Sequence, residues 1–278
     1  MVKIENLKVD LDQTFHCGQN FRWKRQPDGS YLGNPAGHSV RAVRQGGELL
    51  LYGAKAEDEP FWRRYFDADS DYAALLAPVM DAHLQEALIR CPGIRLLDQP
   101  FFETLICFIL SANNNIARIT GIVERFCTIA PRDENGLHLF PTPQQVLSAG
   151  RDFVGSIGAG YRAPYLWEAA QRMDDGFDAD ALRSMDYEEA CKTIRTFKGV
   201  GEKVADCVLL FSCGQKSAFP VDTWVEKLLT QWYGMSGTRS GLKKQARAYF
   251  GSYGGLAQQM LFASAMQQRL RRTEEKNT

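Results

Sequence analysis

The sequence predicts an α+β protein: an N-terminal antiparallel sheet with helices, packed on an all-helical body. Three observations predict it. Residues 1 to about 55 alternate apolar and polar side chains between glycine and proline turns. From about residue 58 the apolar spacing lengthens to a helical period. Beyond residue 100 that period runs to the C-terminus, broken only by short Gly or Pro punctuation. The expected division is residues 1–95 and 96–278, with the site near the junction.

In the first part, Phe21-Arg22-Trp23-Lys24-Arg25 alternates as a strand, Pro27-Asp28-Gly29 turns, and Tyr31-Leu32-Gly33 resumes. Residues 39–44 and 48–52 flank Gly46-Gly47, the pattern of a hairpin. Glu59-Pro60 opens a helix, since proline suits a first turn, and residues 72–80 and 81–90 continue with helical spacing. Pro141, Gly158-Ala159-Gly160, Gly199-Val200-Gly201 and Gly254-Gly255 divide the later helices, and the polar tail after Arg272 is expected to fray.

Composition excludes several classes. An apolar share of 45% and an aromatic share of 11% argue against disorder. The longest apolar stretches, such as residues 105–110, are far too short for a membrane span, and Met1-Val2-Lys3-Ile4-Glu5-Asn6 carries no signal-peptide core. The expected compartment is the cytosol, without membrane association. The seven cysteines are odd in number, include no Cys-x-x-Cys pair and end at Cys213. They suit small core residues rather than a disulfide framework or a metal-ligand set.

Lysine plus arginine and aspartate plus glutamate both total 33, so net charge alone does not point to nucleic acid. The distribution does. Acid gathers in Glu57-Asp58-Glu59 and at Asp67, Asp69 and Asp71, whereas base dominates from Lys192 onward. That basic last third suits either a phosphate-binding face or a solvated helical surface.

The chemistry is concentrated between Cys191 and Leu229. Residues 191–195 form a short helix, Lys198-Gly199-Val200-Gly201 a tight turn, and residues 202–211 a second helix. Glycines on either side of one apolar residue allow a sharp turn and close approach to another surface. The N–H groups that open the second helix are a site for a phosphate oxygen. Lys203 stands in that first turn, where the helix dipole disfavours a cation and so favours the neutral amine a nucleophile needs. Phe219-Pro220-Val221 then leads in extended form to Asp222, placed to cap the next helix over residues 223–229. Each feature has an ordinary structural explanation: an interhelical turn, a surface lysine, a capping carboxylate. Their combination is specific.

That combination, Gly199-Val200-Gly201-Glu202-Lys203-Val204-Ala205-Asp206-Cys207 followed by Pro220-Val221-Asp222, resembles the helix–hairpin–helix–Gly/Pro–Asp superfamily of DNA glycosylases. The chain is most similar to its 8-oxoguanine DNA glycosylase/AP lyase branch. The likeness extends to Cys17-Gly18-Gln19-Asn20-Phe21-Arg22-Trp23, to Ser111-Ala112-Asn113-Asn114-Asn115-Ile116-Ala117-Arg118, to Gly158-Ala159-Gly160-Tyr161-Arg162-Ala163 and to Ala257-Gln258-Gln259-Met260-Leu261-Phe262. The resemblance implies a TBP-like N-terminal sheet and a lysine, Lys203, that attacks the sugar of a flipped oxidised guanine with Asp222 assisting. It implies that Phe262 and Cys207 hold the faces of the lesion base, Gln258 reads its Watson–Crick edge, and the Gly18 carbonyl accepts from its extra N7–H. Gly18 also suits a plain turn, and Phe262 plain core. Asn113, Arg118, Tyr161 and Arg162 would fill the gap in the duplex and read the opposite cytosine; Lys198, Gly199, Val200 and Gly201 would hold the backbone. No metal or organic cofactor is implied, and the partner is duplex DNA bound by a monomer.

Two positions depart from the family pattern: Lys198 replaces the usual hairpin proline, and Trp224 stands where animal-type enzymes carry a phosphate-contacting histidine. Other branches fit less well, because an iron–sulfur loop needs C-terminal cysteines that are missing here and the alkylated-base branch lacks the hairpin lysine. A non-enzymatic DNA-binding module would need neither Lys203 nor Asp222, and abasic-site cleavage separates it from the enzyme.

Overall fold

A computed structural model describes residues 1–274, with side chains to residue 268. Among these residues the strands are β1 (Val2–Ile4), β2 (Lys24–Arg25), β3 (Tyr31–Gly33), β4 (Val40–Gln45) and β5 (Glu48–Tyr52). They form one antiparallel sheet in the order β1-β5-β4-β3-β2. The expected hairpin is β4–β5, with Gln45 opposite Glu48 and both turn glycines at positive φ. Alternation puts Val40, Ala42, Leu49 and Leu51 on the inner face, where they are fully buried. Helices α1 (Leu11–Phe15) and α2 (Glu59–Tyr65) cover that face with Phe15, Trp62, Tyr65 and the following Phe66.

The strand expected over residues 21–25 shrinks to Lys24–Arg25. Its large side chains go to different cores: Trp23 stacks on Phe15 with centroids 4.3 Å apart, whereas Phe21 meets Phe108 of the helical body. Arg22 turns inward to Glu103 at 3.1 Å. Alternation here separates two cores rather than two faces of a sheet.

After α3 (Tyr72–Leu76) a short turn through Pro78 interrupts the helix expected to Met80, and α4 (Ala82–Arg90) resumes. Tyr72, Leu76, Leu84 and Ala87 pack into the core of the body, although they precede residue 95. The body comprises α5 (Phe101–Ser111), α6 (Ile116–Cys127), α7 (Pro143–Ser156), α8 (Ala163–Asp174), α9 (Tyr187–Ile194), α10 (Glu202–Ser212), α11 (Thr223–Tyr233), α12 (Arg239–Phe250) and α13 (Gly254–Glu274). The run from Leu105 to Leu110 is buried on every side, so α5 is the central helix, against which α6, α8 and α10 pack. The tail expected to fray after Arg272 continues as helix to Glu274 and otherwise lies outside the described residues. All seven cysteines are buried. Among the described residues no helix is long and apolar enough to cross a membrane.

Candidate active site

The hairpin between α9 and α10 forms because Phe197 and Val200 are buried while the residues around them turn outward. Gly199 has φ +82°, and a Cβ there would come within 2.4 Å of the Tyr165 ring. Gly199→Ala is therefore expected to displace the hairpin and weaken duplex binding roughly tenfold, from a left-handed penalty of about 1–2 kcal/mol. Fluorescence anisotropy with damaged and undamaged duplex measures this, and an unchanged affinity would show the hairpin to be no part of the DNA grip. Gly201 caps α10 without a side-chain hydrogen bond, so no capping side chain occupies the first-turn N–H groups. Lys198 is exposed and paired with Glu168 at 2.8 Å.

Lys203, one residue into α10, points inward and is half-buried. Its Nζ donates to Ser111 Oγ at 3.1 Å and lies 5.1 Å from the centre of the Phe108 ring. Cys207 follows one helical turn later on the same face and is buried. Burial pushes its thiol up to about 11, against the opposing pull of the Lys203 charge, and the field of Asp222 also reaches it. Asp222 caps α11 as expected: Oδ1 accepts from Trp224 N at 2.9 Å and Val225 N at 2.8 Å. Both capping bonds use one oxygen. Trp224 beside it is 47% exposed, and Lys227 Nζ lies 5.9 Å from its ring centre.

In the N-terminal part, Gly18 (φ +76°) is close to Phe262 of α13: a Cβ added there would sit 3.8 Å from its ring and 4.0 Å from Ile116. Gln19 fixes this segment, donating to the carbonyls of Thr14 and Arg95, each at 2.8 Å, and accepting from Leu97 N at 2.9 Å. Gln259 Nε2 donates to Cys17 O at 3.2 Å, tying the glycine segment to α13. Gln258 is buried, and its Oε1 has no hydrogen-bond partner among the described residues. A buried orphan acceptor is costly unless a ligand satisfies it.

The third group splits. Asn113 is exposed at φ +49°, in the turn between α5 and α6. Tyr161, 58% exposed, lies beside Arg162, whose guanidinium carbon is 4.3 Å from the ring centre. Arg162 itself is 4% exposed. It spends its guanidinium on the carbonyls of Ala112 and Asn113, the Nε bond to Ala112 being 3.0 Å. The structure thus joins Asn113, Tyr161 and Arg162 at one edge but commits Arg162 to holding the turn. Arg118 is exposed on α6, where its backbone N–H is capped by Asn115.

Much of the basic excess of the last third is paired. Lys216 meets Asp67, Arg239 meets Glu226 and Lys243 meets Asp206, each at 2.8 Å. The side chains of Arg269, Arg271 and Arg272 lie outside the described residues.

A model described as "HhH-GPD superfamily base excision DNA repair protein" matches residues 106–250, and one described as "8-oxoguanine DNA glycosylase, N-terminal domain" matches residues 1–105. The chain belongs to the HhH-GPD superfamily, in its 8-oxoguanine DNA glycosylase branch. The N-glycosylase/DNA lyase OGG1 of Arabidopsis thaliana is 31% identical over 95% of this chain and 80% of its own length. Among solved structures, MBOgg1 in complex with a low-affinity DNA ligand is similar at TM-score 0.91 and 31% identity, covering 96% of this chain and 95% of that one. The Clostridium acetobutylicum 8-oxoguanine glycosylase/lyase, in complex with duplex DNA containing cytosine opposite 8-oxoG, gives TM-score 0.89 and 33% identity over 95% of this chain and 93% of that one.

For this HhH-GPD glycosylase, sequence reasoning missed the supports of the site. Ser111 and Gln19 stand within the family-like stretches, but a serine or glutamine gives no signal of its partner until distant segments meet. The direct bond from Lys203 to Ser111 spans 92 positions in sequence.

Proposed function

We propose that this HhH-GPD protein is a bifunctional DNA glycosylase/AP lyase of base excision repair, excising 8-oxoguanine from duplex DNA opposite cytosine and then cutting the strand. The observation that carries the reading is the placement of Lys203 Nζ: half-buried, held by a neutral hydroxyl, and beneath a hairpin whose open N–H groups suit a backbone phosphate. The flipped base enters between the α10 and α13 walls, with Cys207 and Phe262 at its faces and Gln258 at its edge. The Gly18 carbonyl takes the N7–H that ordinary guanine lacks.

In the reaction, the lone pair of neutral Nζ attacks C1′. The C1′–N9 bond breaks, its electron pair leaving with the base, which then takes up a proton. Asp222, with one oxygen free of capping bonds, stabilises the positive charge on the sugar. Ring opening gives an imine between Nζ and C1′ and protonates O4′. Loss of a C2′ proton then expels the 3′ phosphate with the C3′–O bonding pair, which cuts the strand. Asn113, Tyr161 and Arg118 occupy the place of the missing base and face the opposite cytosine, Arg162 holds the turn that carries Asn113, and Lys198 with residues 199–201 holds the backbone. The protein acts as a monomer on DNA, with residues 1–95 and 96–278 as its two parts.

The test measures excision of 8-oxoguanine opposite each of the four bases, beside cleavage of an abasic site, for the wild type and Gln258→Leu. Cytosine is expected to be the preferred partner. Gln258→Leu is expected to slow excision roughly 10–100-fold while changing abasic-site cleavage by no more than about twofold, because an abasic site presents no base edge. Equal losses on both substrates would remove Gln258 from base recognition, and an inert wild type would end the proposal.

A further inference from the structure

The geometry points to Ser111 as a positioning residue for the lysine nucleophile: a hydroxyl that holds Nζ while leaving its lone pair free. The inference rests on Lys203 being the nucleophile. Ser111 is the last residue of α5, and its Oγ–H donates to the Phe108 carbonyl at 2.7 Å. A hydroxyl has one proton, and here it is spent. Toward Lys203, at 3.1 Å, Ser111 can therefore only accept.

The direction of that bond matters for a nucleophile. A neutral amine carries two N–H bonds and one lone pair. Had the hydroxyl donated, it would have occupied the lone pair that must reach C1′. Accepting an N–H fixes the position of Nζ and leaves the lone pair unbonded. A carboxylate in the same place would accept equally well, but it would favour the charged, unreactive ammonium. Among the described residues no carboxylate lies within 4.0 Å of Nζ. Of the acids on the same helix, Glu202 lies 3.9 Å from Arg195, and Asp206 is fully buried and turned to Tyr187 and Lys243.

Other contacts hold the hydroxyl itself in place. Arg162 grips the carbonyls of Ala112 and Asn113, which pins the end of α5 directly after Ser111. Phe108, one turn earlier, supplies both the carbonyl that takes the Ser111 proton and the ring beside Nζ. The turn that carries Asn113 and the nucleophile are thereby mechanically joined through one serine.

The test compares Ser111→Ala and Ser111→Thr with the wild type in single-turnover excision at saturating protein, with DNA affinity, melting temperature and active fraction measured on the same preparations. Threonine keeps the hydroxyl and can bond the same carbonyl three residues back. Ser111→Ala is expected to lower the single-turnover rate about tenfold with Kd changed by no more than about twofold, and Ser111→Thr to restore it to within about threefold of wild type. In both variants borohydride still traps the DNA adduct. An alanine variant with wild-type rate, or a threonine variant as slow as alanine at equal active fraction, overturns the inference. Trapping that persists in Lys203→Gln would instead remove the nucleophile assignment beneath it, so the two failures are distinct.

Discussion

Lys203→Gln is expected to abolish the borohydride-trapped protein–DNA adduct and to slow strand cleavage by roughly 10⁴-fold or more. The argument is chemical before it is structural. Imine formation requires a primary amine, and glutamine offers an amide whose nitrogen lone pair is delocalised. Glutamine fills most of the same half-buried space, one bond shorter and uncharged, so α10 need not move. The variant should bind damaged duplex as tightly as wild type and unfold at a similar temperature, which confines the loss to the chemical step. The measurement is gel-resolved trapping with sodium borohydride beside anisotropy on the same duplex. An adduct formed in undiminished yield would place the nucleophile elsewhere, and a variant that no longer binds DNA would show that the lysine serves the grip rather than the reaction.

How far the sequence foretold this arrangement depends on whether a feature is local. The β4–β5 hairpin, the turn at Gly199-Val200-Gly201 and the cap at Asp222 are set by residues close together in the chain, and all three lie where the sequence put them. Features that depend on distant partners were not legible. The alternation of residues 21–25 suggested a longer strand because a two-residue period does not say which core receives each side. Helix α1 was hidden in a segment expected to be strand and turn, since five residues with an Asp10 cap give too short a period to detect. Arginine at position 162 looked like a group that faces solvent and DNA, whereas it is buried against backbone carbonyls that only the packing of two turns brings to it. The basic run from Lys192 onward suits a phosphate-binding face or a solvated helical surface, and several of those charges meet acids from remote segments that the sequence does not reveal.

One of those pairings supports a second large effect, in Lys243→Met. Asp206 lies on α10 between Lys203 and Cys207, with 0% exposure. Its Oδ1 accepts from Tyr187 OH at 2.5 Å, and Lys243 Nζ forms an ion pair 2.8 Å from Oδ2. Burial pushes the Asp206 carboxyl up to about 6 despite the opposing attraction of Lys243 and the more distant Arg247. Methionine preserves most of the bulk of lysine but leaves the carboxylate without its nearest countercharge, a change expected to cost about 3–5 kcal/mol at pH 7.5. The sign of the pH dependence follows from linkage. A carboxyl whose folded pKa lies above its unfolded value binds a proton preferentially in the native state, so its contribution is fully present below about 3.8 and is lost as pH rises through about 6. Removing Lys243 moves the folded value further upward. At pH 5.5 the variant can therefore neutralise Asp206 in place, and its deficit against wild type should narrow. Urea unfolding at pH 7.5 and 5.5 measures both gaps, and gaps of equal size would mean that Lys243 contributes packing rather than charge. Because Tyr187 and Lys243 tie α10 to α9 and α12, the pair also fixes the rotation of the helix that aims Lys203, so the same variant should lose excision activity in parallel with stability.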